Sequence, residues 1–369
     1  MKCGIIFCIL IFSSAVFAQF SCPNSPHSFF SKIYNEENGI VPNDVTDLQQ
    51  RVRVQNNLGC KEAELVEELV SSIKTMINGQ LLLADKLILN LRYASDGAHL
   101  YGNIFDVPMK YGNSKTLESD ILTKAVWAHE YGHAIFEKNF LIKIPDFVVV
   151  VENSKRANEL VIERTFLKYT IFQNKKDLEI TQSLGNQTQL DLLAEKIAQD
   201  TKQLKDLESR ILDEHINLGN NWAYLEILPF YHELFADLVA TLLFKNGSIV
   251  SQSLSSIGLS NNQTECRDFE NPGNELYLWR PNDEEHCALA PARFFLWKMY
   301  QSNNEFRARS GEFLRLVFNS IVEELIYYHP LVLSNSVDVM SDSFILEMNE
   351  RLISRLKESL ATSIPPSNG

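Results

Sequence analysis

The pentapeptide His129-Glu130-Tyr131-Gly132-His133 constrains this chain more than any other stretch. Around it, Ala125, Val126, Ala128, Gly132, Ile135 and Phe136 place apolar groups on nearly every side of a helix, the pattern of a central helix buried all round. Residues four apart share a helical face, so both imidazoles can turn toward one ion. Glu130, one position on from His129, can reach a water at that ion without taking a ligand position. Two neutral ligands, an open position and an adjacent carboxylate are what a hydrolytic zinc centre requires, with one Zn2+ per chain. Only eight His occur in 369 residues, so composition alone seldom produces this spacing. Trp127 and Phe136 read as core, and Gly132 as a point where another backbone comes close. Ser, Thr and Asp between Ser114 and Ser119 offer N-caps for the helix, and Asn139 and Pro145 mark its end.

Such a centre needs a third protein ligand. Tyr231-His232-Glu233-Leu234-Phe235-Ala236-Asp237 carries an E-x-x-x-D pair on a predicted helix. Glu233 would ligate, and Asp237, one turn later, could accept the proton on the second nitrogen of a ligand His and fix its tautomer. Glu152, which follows His133 after 18 intervening residues, is the other candidate. His232 would point about 100° away from Glu233 around the helix and reads as structural.

With these residues the chain resembles the gluzincin metallopeptidases, the thermolysin-like and aminopeptidase-like group. The resemblance rests on His129-Glu130-Tyr131-Gly132-His133 and Glu233-Leu234-Phe235-Ala236-Asp237, and more loosely on the order of elements between them. It implies zinc held by His129, His133 and Glu233, Glu130 as general base, Asp237 behind a ligand His, and hydrolysis of a peptide or protein substrate. The interval to Glu152 matches the aminopeptidase branch in number. However, Val148-Val149-Val150-Val151 before it and Arg156 after it do not resemble that branch's ligand helix, so Glu233 is preferred. The stretch of about one hundred residues before Glu233 is longer than in typical members, and a helical insertion would account for it. The resemblance also implies that His286, just before the Pro291-initiated helix, donates a hydrogen bond to the tetrahedral oxyanion. A structural role beside Cys287 is the competing assignment. Arg267 and Arg293 are expected to pair with nearby acids rather than with substrate. Tyr231 and Tyr224 are weaker transition-state donors, and Asn103-Ile104-Phe105 is a candidate edge strand for an extended peptide.

The rest of the chain sets the frame. Residues 1–18 read as a secretory signal peptide, with Lys2, an apolar Gly4–Phe17 stretch, and Val16 and Ala18 before a cleavage at Gln19. That makes the protein secreted or periplasmic, with no later segment expected to span a membrane. The formal net charge of −13 argues against nucleic acid or an anionic membrane as partner. Cys22, Cys60, Cys266 and Cys287 remain, and of three possible pairings proximity favours Cys22–Cys60 and Cys266–Cys287. The Asn-x-Ser/Thr sites at Asn186, Asn246 and Asn262 decide nothing.

The expected fold class is α+β and predominantly helical. A small α/β subdomain over 19–148 ends in the HExxH helix, a helical hairpin insertion occupies 149–220, and a helical subdomain over 221–369 carries the third ligand. Gln19 to Asn57 reads as extended or loosely ordered. Lys61–Asn78 carries a helical stripe, and Leu87–Tyr93 and Asn103–Tyr111 read as strands. In the hairpin, Leu190, Leu193, Ile197, Leu204, Leu207, Ile211 and Leu218 alternate by three and four, with Asp200 and Glu214 in the two missing places. The opposing arm carries Leu160, Ile162, Phe166 and Tyr169, with the turn at Gly185-Asn186, and the hairpin is a candidate surface for a protein partner. Trp222–Phe244 reads as an amphipathic helix begun or broken at Pro229. Gly247–Pro291 reads as loop-rich, and the helical remainder as broken near Pro330. His99, His215 and His329 lack partners at metal spacing.

Two rivals belong to other classes. One is an exported, non-catalytic binding protein on a metalloprotease fold, although zinc binding alone would not require Glu130. The other is a di-metal carboxylate protein in a helix bundle, disfavoured by the strands and by the absence of repeated E-x-x-H.

Overall fold

The computed structural model describes residues 30–36, 60–84, 87–92, 99–101, 104–108, 121–145, 147, 164, 167, 170–171, 174–182, 187–279 and 285–363. The signal stretch 1–18, Cys22, Glu152 and the Gly185-Asn186 turn lie outside them, so the Cys22–Cys60 pairing and the Glu152 alternative do too. The described chain is predominantly helical. Its one sheet has the order β1-β2-β4-β3, from β1 (Phe30–Glu36), β2 (Leu87–Arg92), β3 (His99–Tyr101) and β4 (Ile104–Pro108). β1 and β4 run parallel to β2, and β3 pairs antiparallel with β4.

Two expectations about this sheet are corrected. The segment read as loosely ordered contributes β1, which pairs with a strand far along the chain and so leaves little local signal. Of the candidate peptide-binding edge, Asn103 lies outside the described residues, and Ile104 and Phe105 fall on β4, which is paired on both sides. The sheet edges are β1 and β3.

Helix α1 (Cys60–Ile77) buries Val66, Leu69, Val70, Ile73 and Ile77, the stripe its periodicity requires. Helix α2 (Ile121–Lys143) contains the HExxH sequence and is buried on most sides, including Trp127, Ala128, Ile135 and Phe136. The stretch expected to cap it lies outside the described residues, and Asn139 does not end it. Asn139 is instead a buried anchor: its Oδ1 accepts from the Leu82 amide at 2.9 Å, and its Nδ2 donates to the Leu82 and Ile135 carbonyls at 2.8 and 2.7 Å. The sheet meets α2 where Phe105 packs against Tyr131, whose hydroxyl donates to the Ala84 carbonyl at 2.7 Å.

Helix α3 (Gln187–Leu218) carries the three-and-four alternation, while Leu160, Ile162, Phe166 and Tyr169, the residues named for an opposing arm, lie outside the described residues. Its Leu207 and Ile211 pack with Leu167 and Ile171 of the preceding segment in a small separate cluster. The buried Asp200, at a core position of the repeat, accepts from Asn174 Nδ2 at 3.1 Å. Arg164, in the segment before α3, forms an ion pair with the buried Glu226.

Glu226 belongs to α4 (Trp222–Phe244), the helix that packs most extensively against α2. Pro229 neither starts nor breaks α4 but lies inside it at an exposed position. A proline removes one helical hydrogen bond, and apolar burial on nearly all sides holds α4 together through it. The helix is therefore buried all round rather than amphipathic. The stretch Gly219–Phe244 is long and apolar enough to cross a membrane, contrary to the expectation for this region, yet its most apolar window is 67 % buried in the protein, as in a core helix.

The remainder comprises α5 (Ile249–Ser256), α6 (Asn261–Glu265), α7 (Ala290–Ser302), α8 (Asn304–Ala308), α9 (Ser310–Leu333) and α10 (Asp342–Ser363). Pro330 lies within α9, so the break falls after Leu333 rather than at the proline. One hydrophobic core runs from Val66 to Leu356 and joins α1, α2, α4, α7, α9 and α10.

Candidate metal centre

Helices α2 and α4 meet where each can tolerate contact. A methyl group at Gly132 would lie 2.9 Å from Ala236 Cα and 3.2 Å from Val239 Cβ, so only glycine allows this approach. Gly132 precedes His133, and Ala236 sits between Glu233 and Asp237. This close approach of the two helices carries the HExxH face onto the E-x-x-x-D face.

His129 Nε2 and His133 Nε2 lie 3.1 Å apart. Glu233 reaches both, with Oε2 3.4 Å from His129 Nε2 and Oε1 3.4 Å from His133 Nε2. These three side chains form a group that could hold a metal ion. In a tetrahedral shell with metal–ligand bonds of about 2.0–2.1 Å, neighbouring ligand atoms are about 3.3–3.4 Å apart. The donor spacings fit a single small cation with little adjustment.

Behind the group lies a fully buried carboxylate. Asp237 Oδ1 accepts from His129 Nδ1 at 2.9 Å, which leaves Nε2 facing Glu233 and His133. Asp237 also pairs with two guanidinium groups. Arg267 Nε donates to Oδ2 at 3.1 Å, and Arg293 Nε donates to Oδ2 at 2.9 Å. Arg267 Nη2 bridges Asp237 Oδ1 at 2.5 Å and Glu233 Oε2 at 3.1 Å. The expected pairing of these two arginines with acids is thus realised within the site.

The proton affinities follow from burial and these partners. Burial pushes His129 down to about 4, with Asp237 and Glu233 only partly opposing it. Burial also lowers His133, but Glu233 outweighs it and the net direction is upward. Burial would raise Glu233, yet His286 and His133 hold it well below the usual carboxylate range. Asp237, which burial would also raise, is held below by Arg267, Arg293 and His129. Glu137, one turn beyond His133, is pushed up to about 7 by burial.

Glu130 is partly buried next to the group without joining it, and its charge favours the protonated form of His133. His286 lies in a 3-10 turn at Glu285–Cys287, with Nε2 3.5 Å from Glu233 Oε1 and its side chain 28 % exposed. Other candidates fall elsewhere. His232 turns away, with Nε2 3.2 Å from the His133 carbonyl and its ring against His133 and Phe136. Tyr231 is fully buried on the side of Glu324, Tyr328 and Arg351, and Tyr224 stacks on His329 and packs on Phe140 and Phe147. Neither tyrosine is positioned as a transition-state donor. His329 Nε2 donates to the Asn220 carbonyl at 2.8 Å, in keeping with an ordinary role.

The convergence of Arg267 and His286 on Glu233 was not read from the sequence. A signal for it existed: Cys266 and Cys287 are disulfide-bonded, with Cα atoms 5.1 Å apart, and each is the chain neighbour of one of these residues. Comparisons with protein-family models, curated proteins and solved structures find no match to this chain.

Proposed function

We propose that the chain is an exported zinc-dependent peptidase in which His129, His133 and Glu233 hold the metal. The observation that carries this is the triangle of donor atoms at 3.1–3.4 Å with Glu130 on the next helical position. Two imidazoles and one carboxylate are a donor set suited to zinc and leave a fourth position open. Zinc bound there would polarise a substrate carbonyl and make a water acidic enough to attack near neutral pH.

The chain's own groups supply the rest. Asp237 holds His129 in the tautomer that presents Nε2, and Arg267 and Arg293 balance the charge of Asp237 and Glu233. Glu130 takes the proton of the attacking water and passes it to the departing amine. His286, partly exposed at the rim of the group, moves its Nε2 hydrogen bond from Glu233 to the oxygen of the tetrahedral adduct as that oxygen gains charge. Export rests on residues 1–18, and the hairpin of α3 is a candidate surface for a protein partner.

The test separates chemistry from metal binding. Glu130→Gln should retain one zinc per chain while losing peptide cleavage in a peptide-library digest. A variant that cleaves as well as the natural chain overturns the assignment. A natural chain that binds zinc and cleaves nothing supports a binding module instead.

A further inference from the structure

Glu233 is gripped from two sides by residues that neighbour one covalent bond. Arg267 Nη2 donates to Oε2 at 3.1 Å, and His286 Nε2 lies 3.5 Å from Oε1. Arg267 follows Cys266 and His286 precedes Cys287, and these cysteines are joined across a sequence separation of 21. Both sulfur atoms are buried in the main core, with Cys266 and Cys287 each 1 % exposed. Arg267 has a further fixed point in Asp237, and the turn after it is pinned by the buried Asn274, whose Nδ2 donates to the Glu265 and Asp268 carbonyls at 3.0 and 2.7 Å.

We infer that the Cys266–Cys287 disulfide is a positioning clamp for Glu233. It holds the Arg267 segment and the His286 turn against opposite oxygens of one carboxylate. Glu233 has a long side chain that is 18 % exposed and has several rotamers open to it. With each oxygen engaged, Oε1 is held toward His133 and Oε2 toward His129, so the third ligand is set before metal arrives. Order imposed in advance is not lost on binding, which favours affinity. The partners that orient a ligand are worth about 10- to 100-fold in metal affinity. Arg267 and the disulfide are positioning elements on this account, and the inference rests on the assignment of Glu233 as a metal ligand.

The test uses the full-length chain, with Zn2+ dissociation constants measured by competition against a chromophoric chelator, well below the melting temperature of each variant. Cys266→Ser/Cys287→Ser should remain folded by circular dichroism yet bind zinc about 10- to 100-fold more weakly. Unchanged affinity in the folded double variant overturns the clamp, because a disulfide that only stabilised the fold would lower the melting temperature and leave affinity alone. If the double variant fails to fold, Arg267→Met and Arg267→Lys decide with the disulfide intact. A loss of tenfold or more in Arg267→Met, partly recovered by the charge-retaining Arg267→Lys, supports it, and equal affinities across all three chains overturn it. A natural chain that takes up no zinc removes the metal assignment itself, a result distinct from zinc uptake that ignores the clamp.

Discussion

Asp237 receives the Nδ1 proton of His129 at 2.9 Å while two arginines, Arg267 and Arg293, share the same fully buried carboxylate. This one residue both sets the tautomer of a proposed ligand and, together with Glu233, balances two guanidinium groups in the core. Asp237→Ala should therefore cost about 3–5 kcal/mol of stability by leaving buried charge uncompensated. Asp237→Asn should fold better but bind zinc about 10- to 100-fold more weakly. Urea denaturation and zinc competition check the two arms, and an Asn variant with natural zinc affinity would contradict the role given to Asp237.

Gly132 and Ala236 fix the separation of α2 and α4. On an exposed helix Gly→Ala gains up to about 1 kcal/mol, but here the added methyl would meet Ala236 Cα at 2.9 Å. Overpacking of that kind costs about 1–3 kcal/mol. Gly132→Ala should lower the urea midpoint and also weaken zinc binding, because separating the helices moves Glu233 from the two histidines. A stabilised variant with intact metal affinity is the contrary result.

Acid should destabilise the metal-free protein well above the carboxylate range. Burial holds His129 at about 4 and His232 at about 3, while an unfolded histidine takes a proton near 6.5. Between 6.5 and those values the unfolded chain binds more protons, so stability falls as pH falls, by up to about 1.4 kcal/mol per pH unit for each group. Glu137, which burial pushes up to about 7, binds its proton in the folded chain across this window and offsets one of the two histidines, and His133 also acts in the opposite sense. Burial lowers it but Glu233 raises it further, so its contribution is complete below pH 6.5 and lost as pH rises through its folded value. Urea midpoints of the chelator-treated chain from pH 7 to pH 4.5 should decline, and a flat profile would exclude this account.

Glu324 offers a control that makes no hydrogen bond or ion pair with the metal group. Fully buried on α9, it accepts from Arg351 Nε at 3.1 Å and Arg355 Nε at 2.5 Å on α10. Glu324→Ala breaks both bonds and should cost about 3 kcal/mol. Zinc affinity of the folded variant should match the natural chain. A selective loss of metal without a drop in melting temperature is the contrary result.

The parts of the fold that were legible in the sequence are those governed by local repetition. The stripe of α1 predicted its buried face, and Leu207 and Ile211, two members of the three-and-four alternation of α3, are buried against Leu167 and Ile171, which were not among the residues named for the opposing arm. What misled was punctuation. Pro229 and Pro330 read as breaks yet lie inside α4 and α9, and Asn139 read as an end yet anchors the Leu82 backbone. In each case tertiary contacts outweigh a local preference. β1 and the true sheet edges were hidden because strand pairing joins segments far apart in sequence.

For the centre itself, sequence alone determined the two ends. Helical periodicity puts His129 and His133 on one face, and Glu233 and Asp237 on another, because residues one turn apart must align. Bringing those faces together belonged to the tertiary structure. It depends on the absence of a side chain at Gly132 opposite Ala236, which lets the two helices approach closely. A pattern within one helix is set by backbone geometry, whereas the meeting of segments about one hundred residues apart is set by what packs between them.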